Sequence, residues 1–172
     1  SNANITIADG TYTLATGDDG VHADDALIVN GGTITVTESY EGLEGLTVTI
    51  NDGTIDITAS DDGINTAGEK MELNGGYIHI LAGGDGVDSN GDLTINGGEI
   101  YIDGPSDNGN NAIDYGDRSS AYVNGGTLVA IGSSGMAEVM SDSSKQKVLM
   151  IKLGEQMEAG NVVLTDSEGN VI

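Results

Sequence analysis

The sequence predicts an all-β fold: a single-stranded parallel β-helix of about six coils, about 22 residues per coil, with a small C-terminal β cap. Three observations predict it. A corner motif, Asn-Gly-Gly or Asn-Asp-Gly, recurs at a nearly constant interval, and apolar and polar residues alternate on both sides of it. The 172 residues also include 28 glycines and one proline. Periods of roughly 20–50 residues are typical of solenoids, so each repeat is interpreted as one coil.

The corner motif marks the coils in order. It begins at Asn30, Asn51, Asn74, Asn96 and Asn124. The intervals are 21, 23, 22 and 28 residues, and Ala8-Asp9-Gly10 gives a sixth, degenerate copy 22 residues before the first. The longest interval contains Pro105 and predicts a loop insertion. Asn and Gly tolerate positive φ at a corner, and stacked Asn amides can hydrogen-bond along the axis. We therefore expect a structural role for the asparagine column.

Aligning the repeats on the corner places the apolar residues in columns. One position before it stand Ile7, Val29, Ile50, Leu73, Ile95 and Val123. Four positions after it stand Tyr12, Ile34, Ile55, Ile78, Ile100 and Leu128, and six after it Leu14, Val36, Ile57, Ile80, Ile102 and Ala130. A further column in a glycine-rich stretch contains Val21, Leu43, Ile64, Val87 and Ile113. Each repeat is therefore two short strands around the corner, a polar turn and a third short segment. Stacking at about 4.8 Å would pair the strands in parallel and bury the columns.

The two ends of the chain depart from this register. Residues 1–3 are interpreted as an expression scar, 4–143 as the β-helix and 144–172 as cap strands that continue beyond the present terminus. In the cap, Val148–Leu153 and Val162–Thr165 are predicted to be strands, followed by a turn at Asp166–Asn170. Solenoid ends need such covers because terminal coils expose unpaired backbone.

Composition excludes several classes of function. The net charge is −23, from 28 acidic and 5 basic side chains, so no basic stripe exists to neutralise the phosphates of nucleic acid. No apolar run approaches the roughly 18 residues of a membrane span. With no cysteine, a disulfide framework and a thiolate metal site are also excluded. We expect a monomer that does not insert this segment into a membrane.

The acidic residues fall in two columns of the glycine-rich loops. Two positions before the inward apolar residue stand Asp19, Glu41, Asp62, Asp85 and Asn111, and one position after it His22, Glu44, Asn65, Asp88 and Asp114. Carboxylates one rung apart repel by about 3–4 kcal/mol at an effective dielectric near 20. Splaying into water would tolerate this repulsion, whereas a divalent cation between rungs would relieve it. Calcium prefers six to eight oxygen ligands of the kind present here, and magnesium fits a flexible ladder less well.

The columns predict two candidate calcium sites. The better one contains Asp61, Asp62, Asn65, Asp85 and Asp88, and the second contains Asp19, Glu41 and Glu44, with Asp18 adjacent. His22 is expected to be a neutral bystander, because calcium prefers oxygen. The alternative is a merely solvated acidic edge.

The motifs "DDGVHAD", "SYEGLEG", "DDGINTAG" and repeated "NGGTITV" resemble the bacterial carbohydrate-binding β-helix domain family, whose fold is similar to that of pectate lyases. The resemblance covers roughly residues 8 to 140. It implies a right-handed helix, calcium between coils, an extracellular or cell-surface location, and binding to plant cell-wall polysaccharides, including acidic ones. The loop "NNAIDYGD" departs from the pattern, so a metal is not expected there.

Three functions remain open at this point. As a binder, the chain would use Tyr77, His79 and Tyr101, which fall on outward positions of adjacent coils and could form a stacking strip. As a polysaccharide lyase it would need a base, and its five cations are Lys70, Arg118, Lys145, Lys147 and Lys152. Surrounding carboxylates would raise a lysine pKa, the wrong direction for a base, so a non-catalytic binder is expected. The third alternative is a structural or adhesive surface scaffold.

Overall fold

The structure is a computed structural model that describes residues 3–155, 160–161 and 163–171. In these residues it contains fourteen β-strands and no helix. The strands are β1 (Ile5–Ile7), β2 (Thr11–Ala15), β3 (Val21–Val29), β4 (Thr33–Glu38), β5 (Leu43–Ile50), β6 (Thr54–Ala59), β7 (Ile64–Leu73), β8 (Tyr77–Ala82), β9 (Val87–Ser89), β10 (Asp92–Ile95), β11 (Glu99–Asp103), β12 (Ile113–Tyr115), β13 (Ala121–Val123) and β14 (Thr127–Ile131). Among the described residues, none belongs to a helix long and apolar enough to cross a membrane.

The strands stack into two parallel sheets. One, here sheet A, has the order β1-β3-β5-β7-β10-β13, and the other, sheet B, has the order β2-β4-β6-β8-β11-β14. Strands of sheet A and sheet B alternate along the chain, except that β9 and β10, and β12 and β13, follow one another in sheet A. The chain thus advances one rung per coil. Six stacked copies make about five complete turns of about 22 residues, which confirms the predicted parallel β-helix. The hand of the winding stays a prediction.

The predicted third segment of each coil is present, but it joins the next strand in the early coils. It forms the first half of β3, β5 and β7, and the pairing register shifts between Ala23 and Ala26. In later coils the same segment separates as β9 and β12, which pair with each other and extend sheet A.

The apolar columns are in register, as predicted. Val29, Ile50, Leu73, Ile95 and Val123 face one another on successive rungs of sheet A, and all are buried. Ile34, Ile55, Ile78 and Ile100 do the same in sheet B. The columns are open at the two ends, where Tyr12 is exposed and Ala130 also faces solvent. A terminal coil has a neighbour on one side only, so its inward residues stay partly uncovered.

Glycine alone takes the strained conformation at the corners. Positive φ occurs at the glycine that ends each corner and at no described non-glycine residue, so the asparagines do not need it. A Cβ added at Gly76 would lie 2.6 Å from the Gly53 carbonyl oxygen. The asparagines instead form a ladder in which Asn51, Asn74, Asn96 and Asn124 each donate from Nδ2 to the preceding Oδ1, at 2.8, 2.9, 2.8 and 3.0 Å.

The C-terminal region partly matches the predicted cap. Residues 141–146 cover the last rung of sheet A, with the Ser141 amide donating to Ala121 O at 2.8 Å and the Gln146 amide to Val123 O at 3.0 Å. The predicted strand Val148–Leu153 is wrong: the structure assigns none there, and Leu149 and Ile151 are exposed. An apolar run becomes a strand only where a neighbouring strand bonds its backbone.

Further along the cap, Val162 lies outside the described residues. Thr165 forms an isolated antiparallel bridge with Val171. The turn predicted at Asp166–Asn170 is present, because the Asp166 amide donates to Asn170 O at 2.9 Å. The domain boundary at residue 143 stays a prediction.

Candidate functional site

The glycine-rich loops bring the acidic columns together on the same edge of the helix. Pairing in sheet A sets His22 beside Glu44, Glu44 beside Asn65, Asn65 beside Asp88, and Asp88 beside Asp114. The column predicted one position after the inward apolar residue therefore has the predicted register. Neighbouring rungs of a sheet lie about 4.8 Å apart, so these side chains meet in pairs along the axis.

A glycine column holds these loops close to one another. Gly20, Gly42, Gly63 and Gly86 immediately precede the inward apolar residues. A Cβ at Gly63 would meet Ile80 Cγ2 and lie 2.5 Å from the Gly86 carbonyl oxygen. The backbones can approach only because this column lacks side chains, and the approach fixes the spacing of the carboxylates beside it.

The first acidic cluster comprises Asp62, Asp85 and Asp88. Each offers one carboxylate oxygen, and these oxygens all lie within 4.8 Å of one another. Asp62 Oδ1 accepts the Asp85 amide at 2.7 Å, and Asp85 Oδ1 accepts the Asn111 amide at 2.5 Å. The loops therefore orient two of the three carboxylates through backbone donors, and the geometry does not depend on a flexible side chain alone.

Burial and mutual repulsion raise the pKa values of this cluster. Burial, followed by the charges of Asp61 and Asp85, raises the pKa of Asp62 to about 7. Burial, followed by the charges of Asp62, Asp114 and Asp85, raises the pKa of Asp88 to about 7. The pKa of Asp85 is also raised, chiefly by burial. At neutral pH and without a cation, Asp62 and Asp88 are therefore partly protonated.

Asn65 lies between the cluster and Glu41. Its Nδ2 donates to both carboxylate oxygens of Glu41, each at 3.1 Å. Its Oδ1 is buried and accepts no hydrogen bond from any described residue. A buried acceptor without a partner is uncommon in a folded protein and points to an unfilled interaction at this position.

The second acidic cluster comprises Asp19, His22 and Glu44. His22 Nδ1 lies 2.9 Å from Asp19 Oδ2 and also contacts Glu44 Oε2. The hydrogen bond to Asp19, with the charge of Glu44, raises the pKa of His22. The structure places the imidazole of His22 against both carboxylates of this cluster, and the expectation that His22 is a neutral bystander stays a prediction.

The remaining predicted ligands lie around these clusters. The Asp61 and Asp62 carboxylates approach Gly84 from the same side, so Asp61 borders the first cluster. Glu41, which we assigned to the second site, is instead bound to Asn65 of the first. Asp18 is exposed, and its carbonyl oxygen accepts the Tyr40 amide at 2.9 Å.

Sequence analysis missed one member of the acidic column. Glu138 Oε2 accepts the Tyr115 amide at 3.2 Å, and burial, followed by the charge of Asp114, raises the pKa of Glu138. Its position 24 residues after Asp114 was the available signal, close to one coil. In the departing loop, Asn111 is buried, donates from Nδ2 to Met136 O at 3.3 Å and accepts the Ile113 amide at Oδ1 at 2.8 Å.

The outer face of sheet B carries the predicted aromatic strip. Tyr101 pairs with His79, and Tyr77 stands on the same rung as His79. The rings of Tyr77 and Tyr101 are tilted by 42° with centroids 5.7 Å apart, and His79 Nδ1 lies 2.8 Å from Asp56 Oδ1. The three residues thus lie on adjacent coils and form one exposed patch of rings.

A family model described as "Carbohydrate-binding domain-containing protein" matches residues 1–42 and 44–168, nearly the whole chain. The chain belongs to this family. No curated protein and no solved structure matches it.

Membership in a family of carbohydrate-binding domains agrees with the resemblance noted from the loop motifs and fits a glycan partner. It also fits a non-catalytic role. Of the cations considered as lyase bases, Lys70 forms an ion pair with Glu72 at 2.8 Å on sheet A. That ammonium is therefore held by a neighbouring carboxylate of the same strand.

Proposed function

We propose that this carbohydrate-binding domain is a calcium-stabilised, non-catalytic polysaccharide-binding module, acting outside the cell or at its surface on plant cell-wall glycans, acidic pectic ones included. Family membership supports the glycan partner. The observation that carries the calcium is the first acidic cluster, in which three carboxylates converge beside an amide oxygen without a partner.

The donor set fits calcium. Asp62, Asp85, Asp88 and Asn65 Oδ1 are all oxygen donors, and the glycine turns supply backbone carbonyls nearby. Calcium accepts mixed carboxylate, amide and carbonyl ligands in flexible geometry, and these residues would hold it. Deprotonation of the two groups with a pKa of about 7 would accompany binding, since metal ligation requires the charged form.

A bound calcium ion would also explain how this acidic protein can bind acidic polysaccharides. A surface with a net charge of −23 repels a polyanion. A bound calcium ion supplies a positive centre that can accept a uronate carboxylate. The residues of the first acidic cluster would hold that ion between the third and fourth coils.

Thermal unfolding tests the calcium proposal. With calcium at about 100 times its dissociation constant we expect a gain of about 2.7 kcal/mol, or roughly 5–10 °C in Tm, over the protein in chelator. Asp88→Asn should lose most of this gain. Asp103→Asn, which removes an exposed charge from β11, is the matched control and should keep it. An unchanged Tm in the parent protein overturns the calcium site.

Retention on polysaccharide tests the binding. The protein is incubated with insoluble polygalacturonate and with neutral cell-wall polysaccharides, with calcium or chelator. Retention without formation of unsaturated uronate supports a binder, and growing unsaturated-uronate absorbance would instead show a lyase. No retention on any polysaccharide would leave the structural or adhesive scaffold as the function.

A further inference from the structure

A cavity lies along the corners, away from the acidic loops. It is an open groove of about 680 Å³. Its floor is formed by corner glycines of four successive coils, from Gly31 to Gly98, and its side by Asp52, Thr54, Tyr77, Glu99 and Thr127. We call this feature the corner groove.

The floor of the corner groove has no side chains because the corner conformation requires glycine. Gly32, Gly53, Gly76 and Gly98 have φ between +87° and +127°, where a side chain is strained. A Cβ at Gly98 would lie 2.8 Å from Gly76 O. The corner therefore presents backbone only, on rung after rung. At about 4.8 Å per rung, the groove extends roughly 15–20 Å along the helix axis.

The side of the groove is a single column of outward residues. Thr54, Tyr77, Glu99 and Thr127 open successive strands of sheet B and pair with one another in register. All four side chains are exposed. The column therefore offers hydroxyls, one carboxylate and one aromatic face at the spacing of the rungs.

Tyr77 supplies the aromatic face. Its side chain is 43% exposed, and the ring packs against Tyr101, which limits its motion. An amphipathic ring of this kind can stack on the apolar face of a sugar while neighbouring polar groups hydrogen-bond its hydroxyls. A carboxylate such as Glu99 is a strong acceptor for those hydroxyls.

The charge of the groove selects among glycans. Asp52 and Glu99 line it, and none of its described lining residues is Lys, Arg or His. A uronate chain would meet like charges here with no counter-ion, whereas an uncharged chain would not. The acidic clusters lie at the other end of the sheet B strands, because the corners precede those strands and the acidic loops follow them.

We propose that the corner groove binds a neutral glycan chain lying along the helix axis, without a metal. This inference rests on the polysaccharide binding of the proposed function, but not on calcium. The domain would then carry two separate glycan contacts: uronates through calcium at the acidic loops, and neutral chains through Tyr77 and Glu99 at the corners.

Calorimetric titration in chelator tests the proposal, with neutral β-glucan, xylan, mannan and galactan oligosaccharides as probes and oligogalacturonate alongside. We expect at least one neutral oligosaccharide to bind, and addition of calcium to leave its affinity unchanged. Tyr77→Ala should weaken this binding about tenfold, and Glu99→Gln, which keeps the side chain's size, several-fold. Tyr122→Ala, on the outer face of sheet A, is the matched control and should bind normally.

The outcomes separate this inference from the proposed function. If polygalacturonate is retained with calcium but no neutral oligosaccharide binds, the corner groove proposal alone is overturned. It is also overturned if neutral binding survives both Tyr77→Ala and Glu99→Gln, or if these variants abolish calcium-dependent uronate binding. If neither class of glycan binds under any condition, both proposals fail. Tm measurements on each variant identify any loss that comes from unfolding.

Discussion

Two ladders of polar side chains run along this β-helix, and they differ in whether they satisfy themselves. At the corners, each inner asparagine of the ladder donates to the preceding rung and accepts from the next, at 2.8–3.0 Å. At the glycine-rich loops, each rung places a carboxylate or its amide analogue beside another. Burial raises the pKa of Asp62 and Asp88 to about 7, so the ionised form of these carboxyl groups is disfavoured in the acidic ladder.

The difference follows from which hydrogen bonds each type of side chain can make. An amide is both donor and acceptor, so identical rungs are complementary to one another. An ionised carboxylate only accepts, so identical rungs repel, and a third partner must supply the positive charge. The same repeat therefore builds one ladder that stabilises the fold unaided and one that needs a proton or a cation.

The largest expected effect comes from titrating the acidic ladder. The folded pKa of Asp62 and Asp88 is about 7, well above the ordinary aspartate value of 3.8, so the folded state binds more protons than the unfolded state between these two pH values. Stability without calcium should therefore fall as pH rises from about 4 to about 7. Because both groups are partly solvated, we expect a loss of about 3 kcal/mol, less than the full shifts imply.

Urea unfolding in chelator at pH 5 and pH 7.5 measures this loss. Excess calcium should remove it, because the ion binds the deprotonated form. Asp88→Asn should be less sensitive to pH than Asp103→Asn, which has the same net charge. Equal pH dependence in the two variants would show that overall charge, not the cluster, causes the loss.

The next effect comes from the glycine column that spaces the acidic ladder. Gly63→Ala places a Cβ against Ile80 and 2.5 Å from the Gly86 carbonyl oxygen, so the loops must move apart. Overpacking of this kind destabilises by about 1–3 kcal/mol. The same substitution should also weaken the calcium response, since the carboxylates move with their loops.

Gly17→Ala is the matched control for that substitution. A Cβ there meets nothing within 4 Å, and Gly17 has ordinary φ. We expect its unfolding free energy to change by less than about 0.5 kcal/mol. If Gly63→Ala were as mild, close approach of the loops would not be what fixes the acidic ladder.

Sequence alone predicted the register because two independent signals agree on it. The corner fixes where each coil turns, and strict alternation fixes which residues face inward, so Asn65 and Asp88 had to be neighbours. Side-chain reach is not fixed in this way. Glu41 was assigned to the second cluster, yet its carboxylate accepts a hydrogen bond from Asn65. The imidazole of His22 is hydrogen-bonded to Asp19.

The features missed have physical reasons as well. Val148–Leu153 has the composition of a strand, but a strand also needs a partner, which composition does not report. Glu138 continues the acidic column after a loop that lacks the Asp-Gly signal of the others. The corner groove exists because its floor consists of glycines, whereas functional residues are predicted from side chains that can act chemically.

The smallest effect tests the asparagine ladder itself. Asn74→Ala removes the donor to Asn51 and the acceptor for Asn96, two hydrogen bonds at 2.9 and 2.8 Å. At about 1 kcal/mol per bond, reduced by solvent exposure, we expect a loss of roughly 1–2 kcal/mol in urea unfolding, with little pH dependence. Asn30→Ala, at the end of the ladder, removes one such bond and should lose about half as much. Equal losses would mean that each corner is stabilised separately and that continuity of the ladder adds no stability. The asparagine and acidic ladders would then differ only in the charge of their side chains.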